Sequence, residues 1–181
     1  ASGYTINQIT NNQWERIRDH DSIGMNFWIL HDFVPDFFQF ELDLSLKNNK
    51  KINIFKNQFK HKWNELKGKV IIYDHFQSER NIPKILKDNL LNKNIFYPNH
   101  IKIPGNSPFL FEKNLKTFKR LNLDIQFSKN ASLVILLSFA IMMKYEQVIL
   151  CGVDLKNNKY FYHDKSYVER YGVLDPTIDY Q

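Results

Sequence analysis

Three observations predict an α/β fold with a mostly parallel sheet. Short apolar runs of strand character alternate along the chain with stretches of helical periodicity. Two of those runs, Ile23–Leu30 and Val148–Cys151, are apolar almost throughout, as strands covered on both faces are. The helix-to-strand connections are short, Glu146-Gln147 among them.

Taken in order, the chain opens on Ala1-Ser2-Gly3-Tyr4-Thr5, a small-residue turn of the kind that comes after a strand. The expectation is therefore that a first strand belongs before it. Thr10-Asn11-Asn12 offers an N-cap for a helix over Gln13–Asp19. Ile23–Leu30 is the second buried strand, with Asn26 its one polar residue. A polar side chain in such a run needs a partner, which makes Asn26 a candidate ligand contact. His31–Asp36 is a loop, and Phe37–Leu44 a short strand.

Ser45–Lys67 carries Ile52, Phe55, Phe59 and Trp63 at helical spacing, so it is an amphipathic helix whose aromatic stripe belongs to the core. Gly68 ends it. Lys69–Asp74 is a third strand. Asn81–Lys93 is a helix with Pro83 near its first turn, where proline is tolerated. Ile95–Pro98 and Ile101–Pro104 are short extended pieces, and Ser107 to about Leu121 is a helix.

Ala131–Tyr145 is apolar on nearly every side, which predicts a helix buried all round. Val148–Cys151 is next, a buried strand that ends in Gly152-Val153-Asp154. In open parallel sheets, ligands sit beyond the carboxyl ends of the strands. A glycine there admits a ligand close to the backbone, and an aspartate there can accept from sugar hydroxyls. The competing assignment is that Gly152 only turns the chain and Asp154 only caps the segment after it. Tyr160–His163 is a short edge strand, and residues 173–181 are a polar loop.

The totals narrow the classes. A chain of 181 residues has material for one domain with a sizeable core. The apolar stretch Ala131–Met143 is too short to span a membrane. No basic-then-apolar leader opens the chain, and Cys151 is the single cysteine, which fits a reducing, cytoplasmic setting. The net charge of +6 is dispersed over many lysines without a dense block or stacking platform, which argues against a nucleic-acid binder.

No P-loop, complete GxGxxG, zinc spacing or Gly-x-Ser-x-Gly elbow is present. Asp74 and His75 are adjacent and so seldom face one another. Asp32 and Asp36 could serve a metal, against the commoner case of a solvated loop. His163, beside Asp164, is best placed for proton transfer near Asp154.

The order of features resembles a known family. Ser-Gly-x-Thr comes first, then SIGMNFW, then Asn-Ala-Ser opening a buried helix, then KYEQVILCGVDL and a tyrosine-rich edge. This resembles the bacterial sialyltransferases that use CMP-activated sialic acid, with the related lipooligosaccharide and capsule glycosyltransferases. Gly3 and Thr5 match the later positions of that family's glycine-rich turn, and Asn26 its strand asparagine. Ser132 matches a donor-binding serine, Gly152 and Asp154 the Gly-Ile-Asp that ends the strand, and Tyr160 or Tyr162 a tyrosine near the donor phosphate. Lys129 stands where the family has arginine, and Leu133 where it has glycine. The family's histidine lies further past Gly-x-Asp than His163, which stands in for it.

The resemblance implies a Rossmann-like, mostly parallel sheet with helices on both faces, a GT-A-like variant formed by residues 1–181 as a single domain. That domain would lack its first strand and could lack C-terminal parts. It implies an inverting transfer of an acidic sugar from a CMP-sugar to a glycan acceptor, with no cofactor and no metal. His163 would be catalytic, and Gly3, Thr5, Asn26, Ser132, Gly152, Asp154, Tyr160 and Tyr162 would bind the donor. The setting would be cytoplasmic, with room for peripheral association at the inner membrane surface, and an oligomer is compatible. The alternatives are a transferase using another nucleotide-sugar, and a truncated, non-catalytic nucleotide-binding or interaction domain.

Overall fold

Thr10 starts the first α-helix, α1 (Asn11–Arg18), through a capping box. Its hydroxyl accepts from Gln13 N, and the Gln13 side chain accepts from Thr10 N at 2.9 Å. The computed structural model describes all residues except 1, 43–48, 74–94, 97–98, 103–124, 129–131, 156–158 and 173–181. The chain forms two compact units, one of Ala1–Phe96 with Leu150–Gln181 and one of Tyr97–Ile149.

The first unit is α/β, built on an open, wholly parallel sheet. Its strands are β1 (Ile23–Met25), β2 (Phe37–Phe40), β3 (Val70–Tyr73) and β4 (Ile95–Phe96), neighbours in that order. Phe38 and Phe40, two residues apart on β2, share one face. The helix α2 (Lys50–His61) lays Phe55 and Phe59 against them, with Phe40 centred 5.0 Å from Phe55 and 5.7 Å from Phe59. Ile52, Phe55 and Phe59 are buried, so the aromatic stripe is core, as its spacing predicts. Asn49 caps α2 by accepting from Ile52 N, and a further turn, α3 (Trp63–Leu66), ends before Gly68.

Four elements differ from the sequence expectation. The strand expected over Ile23–Leu30 stops at Met25, and Asn26–Leu30 is a 3₁₀ helix. Asn26 takes a left-handed φ of 51°, which breaks the extended run. Trp28 then folds back so far that a Cβ on Gly24 would stand 2.5 Å from its ring. Trp28, Ile29 and Leu30 are nonetheless buried, so their hydrophobicity serves the core from a helical turn.

Val148–Cys151 is not a strand. Among the described residues no strand pairs with it, and Ile149 is 76% exposed. An apolar run becomes a strand only where neighbours supply ladder partners. Beyond it, the Gly152 carbonyl bonds Gly3 N instead. The piece expected at Tyr160–His163 contributes one antiparallel bridge, Tyr160 to Gly3, and then turns into a 3₁₀ helix over Phe161–His163. The helix expected to be buried all round is α4 (Ser132–Met142). It buries Ile135, Leu136, Ser138 and Phe139 but leaves Ile141 64% exposed.

Two elements go beyond the sequence expectation. The strand β6 (Ile125–Ser128) pairs in parallel with β5 (Asn99–Lys102) in the second unit, where α4 lies against it. The helix α5 (Lys165–Tyr171) starts on Asp164, whose side chain accepts from Ser166 N, and ends on Gly172 at φ 61°. The helices expected over 81–93 and 107–121, and the pair Asp74-His75, lie outside the described residues.

Candidate functional site

Two segments far apart in sequence meet in the first unit. Gly3 N donates to Gly152 O at 2.9 Å, Tyr4 N to Lys159 O at 3.2 Å, and Phe161 N to Ser2 O at 2.9 Å. Gly152 accepts this approach because it has no side chain. It sits at φ +67°, and a Cβ there would fall 2.6 Å from Ile6 Cγ1 and 3.1 Å from Gly3 N. A Cβ on Gly3 would in turn meet the Asp154 carboxylate at 2.5 Å. The glycine pair is therefore a steric requirement of the crossing itself.

Asp154 clasps the 3₁₀ helix Tyr4–Gln8. Thr5 donates to it twice, from its hydroxyl to Oδ1 at 2.5 Å and from its backbone N to Oδ2 at 2.9 Å. Those two bonds, the hydroxyl's first, hold the Asp154 carboxyl below its usual range. Asp164 is also held low, mainly by the Ser166 hydroxyl, and accepts from Tyr4 OH at 3.3 Å. Asn7 Nδ2 completes the crossing by donating to Phe161 O at 3.0 Å.

Tyr160, Tyr162 and His163 project from the same turn. The two tyrosine rings stack 5.1 Å apart, and His163 lies edge-on to both. Tyr160 is 40% exposed whereas Tyr162 is buried. His163 Nδ1 accepts from Tyr160 N at 2.9 Å. An imidazole nitrogen that accepts from an amide carries no proton, so the neutral ring holds its hydrogen on Nε2. That Nε2 is enclosed within the turn.

Asn26 joins this cluster through its neighbour. Phe27 lies 5.5 Å from Tyr162 and 6.2 Å from Phe55. The Asn26 amide is engaged with Glu41, just past the end of β2. Seven nominated residues, Gly3, Thr5, Gly152, Asp154, Tyr160, Tyr162 and His163, thus form one cluster, with Asn26 reached through Phe27. Ser132 opens α4 in the second unit, and Lys129 lies outside the described residues. Sequence reasoning misses Glu41, Phe27 and Tyr4. Glu41 had a signal, as the first acid after an apolar strand, the same criterion that singles out Asp154.

The loop carboxylates are taken up by cations. Asp32 meets Arg170 at 3.0 Å and Asp36 meets Lys69 at 2.7 Å. Burial raises the Asp36 carboxyl, but bonds from Lys69 and Ser22 outweigh it and hold the group low. Among the described residues no group of three or more His, Cys, Asp or Glu is placed to hold a metal ion. Among them, too, no helix is long and apolar enough to cross a membrane. No family model matches the chain, and no curated protein or solved structure matches it either.

Proposed function

We propose that this chain is a Rossmann-like, inverting glycosyltransferase that needs no metal. Its donor would be a CMP-activated acidic sugar, sialic acid or a related nonulosonic acid or Kdo. Its acceptor would be a glycan of a bacterial surface polysaccharide. The observation that carries this reading is the convergence of Gly3, Thr5, Gly152, Asp154, Tyr160, Tyr162 and His163. They come from opposite ends of the chain, and the family resemblance nominates them from sequence alone. Gly3 N meets Gly152 O at 2.9 Å, and Thr5 meets Asp154.

The chemistry suits these groups. An acceptor oxygen forms a bond to the anomeric carbon while the bond from that carbon to the CMP phosphate oxygen breaks, and CMP leaves with the electron pair. Charge grows on the phosphate, where preorganised donors stabilise it most. The hydroxyls of Tyr160 and Tyr162 would be donors of that kind. His163 would act by orienting Tyr160 through its Nδ1, and the proton of the acceptor hydroxyl goes to a base outside this turn.

A second reading has one observation in its favour. Both Asp154 oxygens accept from Thr5, as they would in a purely structural clasp within a non-catalytic nucleotide-binding or interaction domain. Release of CMP from CMP-sialic acid, with and without a glycan acceptor, separates the two. Transfer is expected, and Tyr160→Phe should slow it roughly tenfold, the worth of one lost charge-assisted hydrogen bond. CMP binding with no release under any acceptor would leave the non-catalytic reading in its place.

A further inference from the structure

We propose that Glu41 is a positioning residue for the Asn26 amide at the carboxyl edge of the sheet. The inference rests on the reading of Asn26 as a donor contact. Strands β1 and β2 are parallel neighbours; Asn26 follows Met25, the last residue of β1, and Glu41 follows Phe40, the last residue of β2. This edge is where open parallel sheets bind ligands.

Asn26 holds φ 51°, a region that any residue with a Cβ enters at a cost and that asparagine tolerates better than most. Its side chain is then gripped at both ends by one residue. Nδ2 donates to Glu41 Oε1 at 3.2 Å, and Glu41 N donates to Oδ1 at 3.1 Å. A flipped amide would set its oxygen against a carboxylate and its NH₂ against an N–H. Both contacts repel, so the reciprocal pair selects one orientation. The backbone half of the grip survives any substitution at position 41 except proline. The carboxylate half does not, and without it only one of the two contacts still opposes the flip. Phe27 ties this pair to the tyrosine turn through its 5.5 Å contact with Tyr162.

The test uses the whole chain, ¹⁵N-labelled, with CMP as the probe. In ligand-free protein, the Asn26 side-chain amide resonances should move toward unfolded-chain positions in Glu41→Ala and stay dispersed in Glu41→Gln, which keeps an acceptor oxygen. CMP affinity should fall roughly tenfold in Glu41→Ala and stay within about threefold in Glu41→Gln. Thermal unfolding confirms that each variant is folded. If Glu41→Ala does not fold, Glu41→Asp, which withdraws the carboxylate by a methylene, should show the same two losses. Asn26 resonances that ignore both the alanine and the aspartate variants would overturn the proposal. So would a wild type that binds CMP and loses nothing on either change. A wild type that does not bind CMP defeats the donor reading instead, and the amide resonances still decide the role of Glu41.

Discussion

Gly152→Ala is expected to destabilise the protein by about 3 kcal/mol, from left-handed strain of roughly 1–2 kcal/mol and overpacking of a similar size. The new methyl would fall 2.6 Å from Cγ1 of Ile6, which is itself 1% exposed and cannot swing into solvent. It would also crowd Gly3 N, whose bond to Gly152 O fixes the crossing. Two other glycines separate the contributions. Gly172 has φ +61° with nothing within 4 Å of its Cβ position, so Gly172→Ala should cost only the strain, about 1 kcal/mol. Gly68→Ala, with open space and no positive φ, should be neutral or slightly stabilising. Urea unfolding of the three variants checks the order. Equal losses at Gly152 and Gly172 would mean that the crossing is loose.

The second large effect is acid sensitivity set by His31. Its ring lies among Trp14, Trp28, Phe161 and Tyr167, the closest being Trp28 at 4.6 Å. Its Nδ1 accepts from Phe33 N, and its carbonyl accepts from the buried Lys62 ammonium. Burial pushes the ring from 6.5 down to about 4; Asp32 pulls upward, and Lys62 adds a smaller push downward.

A depressed folded pKa means that the unfolded chain takes up its proton first. The stabilisation is therefore intact above pH 6.5, is lost as pH falls toward 4, and changes little below that. At 1.36 kcal/mol per unit the loss is about 3 kcal/mol. Asp36, Asp154 and Asp164 are depressed from 3.8, so their own losses begin only at lower pH. Unfolding free energy measured between pH 7 and 4 should fall steeply in the wild type and far less in His31→Asn, which can keep an acceptor near the Nδ1 position. A His31→Asn profile parallel to the wild type would remove His31 from the account.

How much of the fold and the cluster is legible in the chain depends on range. The strands at Phe37–Phe40 and Val70–Tyr73 come from short apolar runs and the helix at Lys50–His61 from its helical spacing, because each buries the residues its own pattern marks. Val148–Cys151 carries the same signal and fails, since an apolar run cannot report whether another strand lies beside it. β6 escapes the pattern although Leu121, Leu123, Ile125 and Phe127 alternate, and α5 although Asp164 and Gly172 are cap residues. Asn26 stands out as the odd polar residue of its run, but its partner lies 15 positions on, beyond any local pattern. The crossing of Gly3 with Gly152 and Tyr160 is longer in range still. Family resemblance names those residues, and only the fold brings them together.

The central claim is that the cluster takes a cytidine nucleotide. Calorimetric titration of the intact protein with CMP, UMP, GMP and AMP, with and without a chelator, tests it most directly. The account predicts that CMP binds tightest, by about tenfold or more, and that the chelator changes nothing. Preference for UMP, binding that vanishes with the chelator, or no binding of any of the four would contradict it.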